Sequence, residues 1–178
     1  MNMYEIEKLI SDFSEELHRY PHSAKIEERM KELEKLINYA FQNISFLELA
    51  LCRTKINVPG SGKSNKTYKN ETLAQVGDAV LDLSIVEFYF SKGCLKKEID
   101  DQRQKQAKNE RLFNFANSKG LRQFCYHKTH FYGEAPGNRQ VSANKHDATV
   151  EAIIGAIYFD GGLDKAKEWC MEYVLAKE

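Results

Sequence analysis

The chain has 178 residues, 42% of them hydrophobic, with 26 basic and 26 acidic side chains and no net charge. That length predicts one domain with a sizeable core, and 10 Phe, 9 Tyr and 1 Trp exclude a disordered chain. No apolar run is long enough to span a bilayer, and Met1-Asn2-Met3-Tyr4-Glu5 lacks the start of a signal peptide; a cytoplasmic protein with no membrane partner is expected.

Helical periodicity dominates from the start. Ile6, Leu9, Ile10, Phe13 and Leu17 predict a helix over 3–19, broken at Pro21-His22-Ser23. Ile26, Met30, Leu33, Ile37 and Ala40 form the stripe of a second, over 24–42. A short helix follows Asn43, from Phe46 to Leu51. Residues 53–69, with Pro59-Gly60-Ser61-Gly62, read as a loop. A long helix starts near Asn70, runs to about Phe90 and is ended by Gly93. Residues 95–108 favour helix, 109–119 form another closed by Gly120, and 126–144 are irregular. A helix over 145–159 stops at Asp160-Gly161-Gly162, and a last one, 163–176, turns Leu163, Ala166, Cys170 and Val174 inward. Strand signals are weak throughout, so the class is all-α.

Charge is unevenly spread. Residues 1–36 carry nine acids against six Lys and Arg. Residues 53–69 carry Arg53, Lys55, Lys63, Lys66 and Lys69 and no acid, and 119–146 carry Lys119, Arg122, Lys128, Arg139 and Lys145 against Glu134 alone. Each basic stretch precedes a helix with acids set into an apolar pattern. In the first, Glu71, Gln75, Asp78 and Asp82 share one face, while Leu73, Val76, Val80 and Leu83 form the apolar stripe. In the second, Asp147 and Glu151 lie one turn apart, and Gly77, Ala152, Gly155 and Ala156 permit close packing of the two helices. Solvated or paired acids are one account. The other is a divalent-cation site facing a phosphodiester, with the basic stretches as its phosphate-contacting surface.

These segments carry a resemblance. Asn70-Glu71-Thr72-Leu73-x-x-x-Gly77-Asp78-Ala79-Val80-Leu81 resembles the signature helix of the ribonuclease III family, and Glu151-Ala152-Ile153-Ile154-Gly155-Ala156-Ile157-Tyr158-x-Asp160-Gly161-Gly162 is similar to its second motif. The likeness runs over about 32–176; residues 1–31 are expected to be an N-terminal helical extension and 32–178 the ribonuclease III-like domain. The resemblance implies a helical endonuclease domain, homodimeric, that cuts double-stranded RNA with Mg²⁺, for which Mn²⁺ can substitute. By position, it implies Asp78 and Glu151 as metal ligands and Glu71 as an acid near the scissile phosphate. The two further acid positions of the family hold Ala74 and Ala148, with Asp147 one residue earlier as a substitute ligand; the Mini-III branch is similar in having alanine where Ala74 sits. An aromatic of the family's dimer contact is Gln75. Lys145, Lys63, Lys66, Lys69 and Arg139 are the candidate RNA contacts. The chain ends soon after the nuclease domain, so without a separate double-stranded-RNA-binding domain a modest, salt-dependent affinity is expected. The alternative is an inactive protein of the same fold that acts as an RNA-binding or ribosome-associated scaffold.

Two other patterns are weaker. Gly62-Lys63-Ser64 suggests a phosphate loop, but the first glycine position of that motif is Asn57. Cys125, His127, His130 and His146 fit no closed zinc spacing. The four cysteines, widely spaced, are expected to stay reduced.

Overall fold

The structure is a computed structural model that describes residues 3–19, 23–58, 66–127, 130–131 and 148–175. Among the described residues seven α-helices follow in order: α1 (Met3–His18), α2 (Ser23–Ile37), α3 (Ser45–Leu51), α4 (Asn70–Ser91), α5 (Lys96–Gln106), α6 (Asn109–Ser118) and α7 (Thr149–Trp169). A 3-10 turn, Leu121–Phe124, follows α6, and a π-helical turn, Cys170–Leu175, extends α7. The class is all-α as expected. Two antiparallel hairpins are added, β1 (Ile56–Val58) with β2 (Lys66–Tyr68), and β3 (Tyr126–His127) with β4 (His130–Phe131). Both hairpins fall in stretches expected to be loop or irregular, because strands of two or three residues are too short to show alternation.

α4 and α7 form the most extensively packed helix pair, and α3 packs on α7 as well. Ile10, Phe13 and Leu17 of α1 and Ile26, Met30, Leu33 and Ile37 of α2 are buried in the same hydrophobic core as Leu73, Leu81 and Ile85 of α4 and Ile153, Ile154 and Ile157 of α7. Burying each such side chain stabilises the fold by roughly 1.5–3 kcal/mol. Within that core Glu48 of α3 is only 1% exposed, with His18 of α1 at 3.7 Å. Burial pushes its carboxyl above the usual range, with Glu27 acting in the same sense and His18 and Ser45 opposing.

α2 stops earlier than its periodicity predicts. Asn38 takes the left-handed conformation (φ 51°), and the Tyr39 N–H donates to the Glu34 carbonyl (3.1 Å), a Schellman-type ending that leaves Ala40 exposed. Asp160 then fastens the chain that follows: it accepts from Tyr39 Oη (2.9 Å), Gln42 N (3.0 Å) and Asn43 N (2.8 Å). A Cβ on Gly161 would meet the Tyr39 hydroxyl and displace it, and Gly162 sits at φ 84°, kinking α7 between its two helical halves. Past the kink Leu163 is 39% exposed rather than inward, while Ala166, Cys170 and Val174 are buried as expected. Trp169 donates from its indole nitrogen to the Ile37 carbonyl (3.0 Å) and stacks on Tyr173, with ring centroids 5.2 Å apart. No described helix is long and apolar enough to cross a membrane.

Candidate active site

The buried face of α4 runs through Leu73, Ala74, Gly77, Val80, Leu81, Ser84, Ile85 and Tyr89, the repeat of a helix packed along its whole length. Val76 and Leu83, expected in this stripe, are half-buried and 39% exposed respectively. The reason lies in the seam. Two glycines replace side chains at the crossing of α4 and α7, which rotates the contact face toward them. A Cβ on Gly77 would fall on the Glu151 carbonyl oxygen, 2.6 Å from its carbonyl carbon and 2.9 Å from Gly155 N. A Cβ on Gly155 would fall on the Leu73 carbonyl oxygen, 2.9 Å from the Leu73 carbonyl carbon. Main chain thus rests on main chain in both directions.

That contact brings two of the sequence-predicted site positions together. Asp78 follows Gly77 directly, and Glu151 is the residue whose main chain Gly77 touches. Glu151, in the first turn of α7, is 8% exposed. Asp78 is exposed and takes part in no ion pair or hydrogen bond among the described residues. Four residues on, Asp82 is taken up by Arg103 of α5, whose Nε donates to its Oδ1 at 2.7 Å and whose Nη2 donates to Oδ2. Asp82 is therefore occupied while Asp78, on the same helix, is left open to a partner.

The remaining positions divide. Glu71 stands in the first turn of α4, exposed, and pairs with Lys69 Nζ at 3.2 Å, so the predicted RNA contact Lys69 already holds a predicted site acid. Such an exposed pair contributes little stability, about 0–1 kcal/mol. Ala74 is buried under α7 and Ala148 half-buried just ahead of it. Lys66 lies in β2. Asp147, Lys145, Lys63 and Arg139 lie outside the described residues, as does the 59–65 stretch with its Gly-Lys-Ser run. No group of three or more His, Cys, Asp or Glu side chains suited to a metal ion occurs among the described residues. Two carboxylates, Asp78 and Glu151, are what the described part of the seam offers.

Sequence reasoning missed one residue beside them. Arg53, counted only as part of a basic stretch, donates from Nη2 to Thr149 Oγ1 (2.5 Å) and to Cys125 Sγ (3.5 Å). Thr149 opens α7 and is fully buried. No local signal joins residues 96 positions apart.

Comparison with known proteins agrees with the resemblance. A family model described as ribonuclease-III-like matches residues 60–178. Ribonuclease 3 of Campylobacter curvus is 33% identical over 141 residues, which is 78% of this chain and 58% of that protein. Ribonuclease 3 of a Campylobacter jejuni strain is 35% identical over 143 residues, 78% of this chain and 59% of the relative. The chain thus spans a little under three fifths of the length of these curated relatives. Among solved structures, the nuclease domain of ribonuclease III from Campylobacter jejuni, described for flexibility in a region involved in dimer formation, superposes with a TM-score of 0.63 at 28% identity, covering 82% of this chain and 95% of that one.

Proposed function

The chain belongs to the ribonuclease III family, and on that premise we propose that it is a cytoplasmic endoribonuclease that cleaves double-stranded RNA, as a homodimer, by divalent-metal-assisted hydrolysis. The observation that carries the proposal is the main-chain contact of Gly77 with Glu151, which packs the first turn of α7 on the turn of α4 that bears Asp78.

The donor set fits a small hard cation. Mg²⁺ takes oxygen ligands, often one or two carboxylates with the rest water, and Asp78 and Glu151 are oxygen donors of that kind, Glu151 at 8% exposure. Ala74 and Ala148 stand where the family resemblance implies further acids, which suits a well-hydrated ion. Asp78 and Glu151 would hold it, with Asp147 assisting. When bound, the ion supplies Lewis-acid polarisation of the scissile phosphate and activation of water near neutral pH. The protein's own part is placement. The glycine seam fixes the separation of the two helices. Glu71, steadied by Lys69, faces solvent at the start of α4, where the scissile phosphate would lie. Lys63, Lys66, Lys145 and Arg139 contact neighbouring phosphates of an A-form duplex, which is read by backbone shape and not by base edges.

Cleavage of a long RNA duplex in Mg²⁺, followed on a gel, tests this. Asp78→Asn and Glu151→Gln should each abolish cutting and leave the far-ultraviolet circular dichroism unchanged. Cutting that survives both substitutions would refute the site. A stable RNA complex without any cleavage by the unaltered chain would favour the scaffold, to which the alanines at 74 and 148 also point.

A further inference from the structure

The first turn of α7 is held from two sides. On one, Gly77 presses against the Glu151 carbonyl. On the other stands Arg53. Its main chain is fixed, because Cys52 pairs with Tyr126 in a parallel bridge and the Arg53 N–H donates to the Tyr126 carbonyl at 2.8 Å. Its guanidinium then reaches Thr149 Oγ1 at 2.5 Å and Cys125 Sγ at 3.5 Å, and those two acceptors lie 3.6 Å apart. Thr149 is the first residue of α7 and stands two positions before Glu151.

This is an unusual place for a cation. The N-terminal end of a helix bears positive partial charge and favours anions. Ala148, at the cap position, makes no side-chain cap hydrogen bond, so the turn lacks the usual means of fixing its start. A residue serving packing alone has no need of a guanidinium there. Arg53 places one hydrogen bond on the hydroxyl that begins the turn.

Resting on the metal reading of Asp78 and Glu151, we infer that Arg53 is a positioning residue: through Thr149 it fixes the helical turn that presents Glu151 to the divalent ion. It touches neither substrate nor ion. Partners one step removed from a metal ligand commonly change affinity about 10–100-fold when lost.

The test uses the full chain and Mn²⁺ alone, with binding followed by electron paramagnetic resonance. Arg53→Met and Thr149→Val should each raise the Mn²⁺ dissociation constant about ten-fold. The double substitution should do no more than either alone, because both remove one link. Thr149→Ser, which keeps the acceptor hydroxyl, should restore binding relative to Thr149→Val. Amide exchange gives a metal-free readout. The Ala152 N–H closes the first turn on the Ala148 carbonyl at 2.9 Å, and its protection should fall about ten-fold relative to that of Gly155 in both variants. Unaltered protein that binds Mn²⁺, with an unchanged constant in Thr149→Val, overturns the role of Arg53 alone. Unaltered protein that binds no Mn²⁺ overturns the two-acid site and this inference with it. Should Arg53→Met fail to fold, Thr149→Val carries the same test.

Discussion

Gly77→Ala is the most direct probe of the seam. The added methyl has nowhere to go. It meets the Glu151 carbonyl oxygen head-on and lies 2.6 Å from the carbonyl carbon and 2.9 Å from Gly155 N. All three are main-chain atoms of one helix, so no side-chain rotation relieves the clash, and α4 and α7 must part by roughly an ångström or more. Overpacking a tight core costs about 1–3 kcal/mol, and a rigid main-chain neighbour places this case near 3. Alanine returns about 1 kcal/mol through its better helix propensity. The expected net loss is about 2 kcal/mol, a fall in Tm of about 4–8 °C for a domain of this length. Activity should suffer more than stability, because a misplacement of about 1 Å at a reacting centre can reduce the rate on the order of 100-fold. Urea denaturation with single-turnover cleavage of duplex RNA separates the two effects. Gly155→Ala acts on the same crossing from the other helix, so the double substitution should cost less than the sum of the two. A Gly77→Ala protein with unchanged Tm and unchanged cleavage would show that the two backbones are not in contact, and the proposed two-acid site would fall with it.

Two further outcomes follow from the packing around α3. Asp160→Ala removes an acceptor shared by Tyr39, Gln42 and Asn43 and should cost about 3 kcal/mol in urea denaturation, since hydrogen bonds to a charged group contribute about 1.5–3 kcal/mol; a loss below about 0.5 kcal/mol, the usual range for surface substitutions, would exclude it as an anchor. Glu48, held above its ordinary pKa of 4.5 by burial, binds a proton more readily folded than unfolded, so its contribution is fully present below pH 4.5 and is lost as pH rises through the folded value. Glu48→Gln should therefore stabilise the protein more near neutral pH than at pH 4.5 and flatten the dependence between them, as read from urea midpoints at a series of pH values; an equal effect at both ends would contradict the buried-acid account.

Much of the helical frame was legible in the chain, because α1, α2, α4 and α7 bury sustained stripes that periodicity detects. The glycines at 77 and 155 were also legible as points of close approach. What escaped depended on distant partners. Nothing local shows that Glu48 is buried, since its surroundings come from α1 and α2. Leu83 looked like core because its spacing fits a stripe, yet the glycine crossing turns the face of α4 away from it. Asp160 read as part of a helix stop, and its carboxylate proves to organise a segment 117 residues earlier. Arg53 looked like one charge in a basic stretch, because its hydroxyl and thiol partners are contributed by later elements. Asp78 and Glu151 were read from motif position, and the structure adds the main-chain contact between their helices.

The lone indole has a practical bearing. Trp169 is the chain's single tryptophan, bonded to the last residue of α2 and stacked on Tyr173 in the π-helical turn. Intrinsic fluorescence, excited selectively, therefore watches one junction: the place where the N-terminal helices dock on the C-terminal segment. Detachment of α2 would alter emission with no label added, making the two N-terminal helices optically addressable apart from the α4–α7 seam.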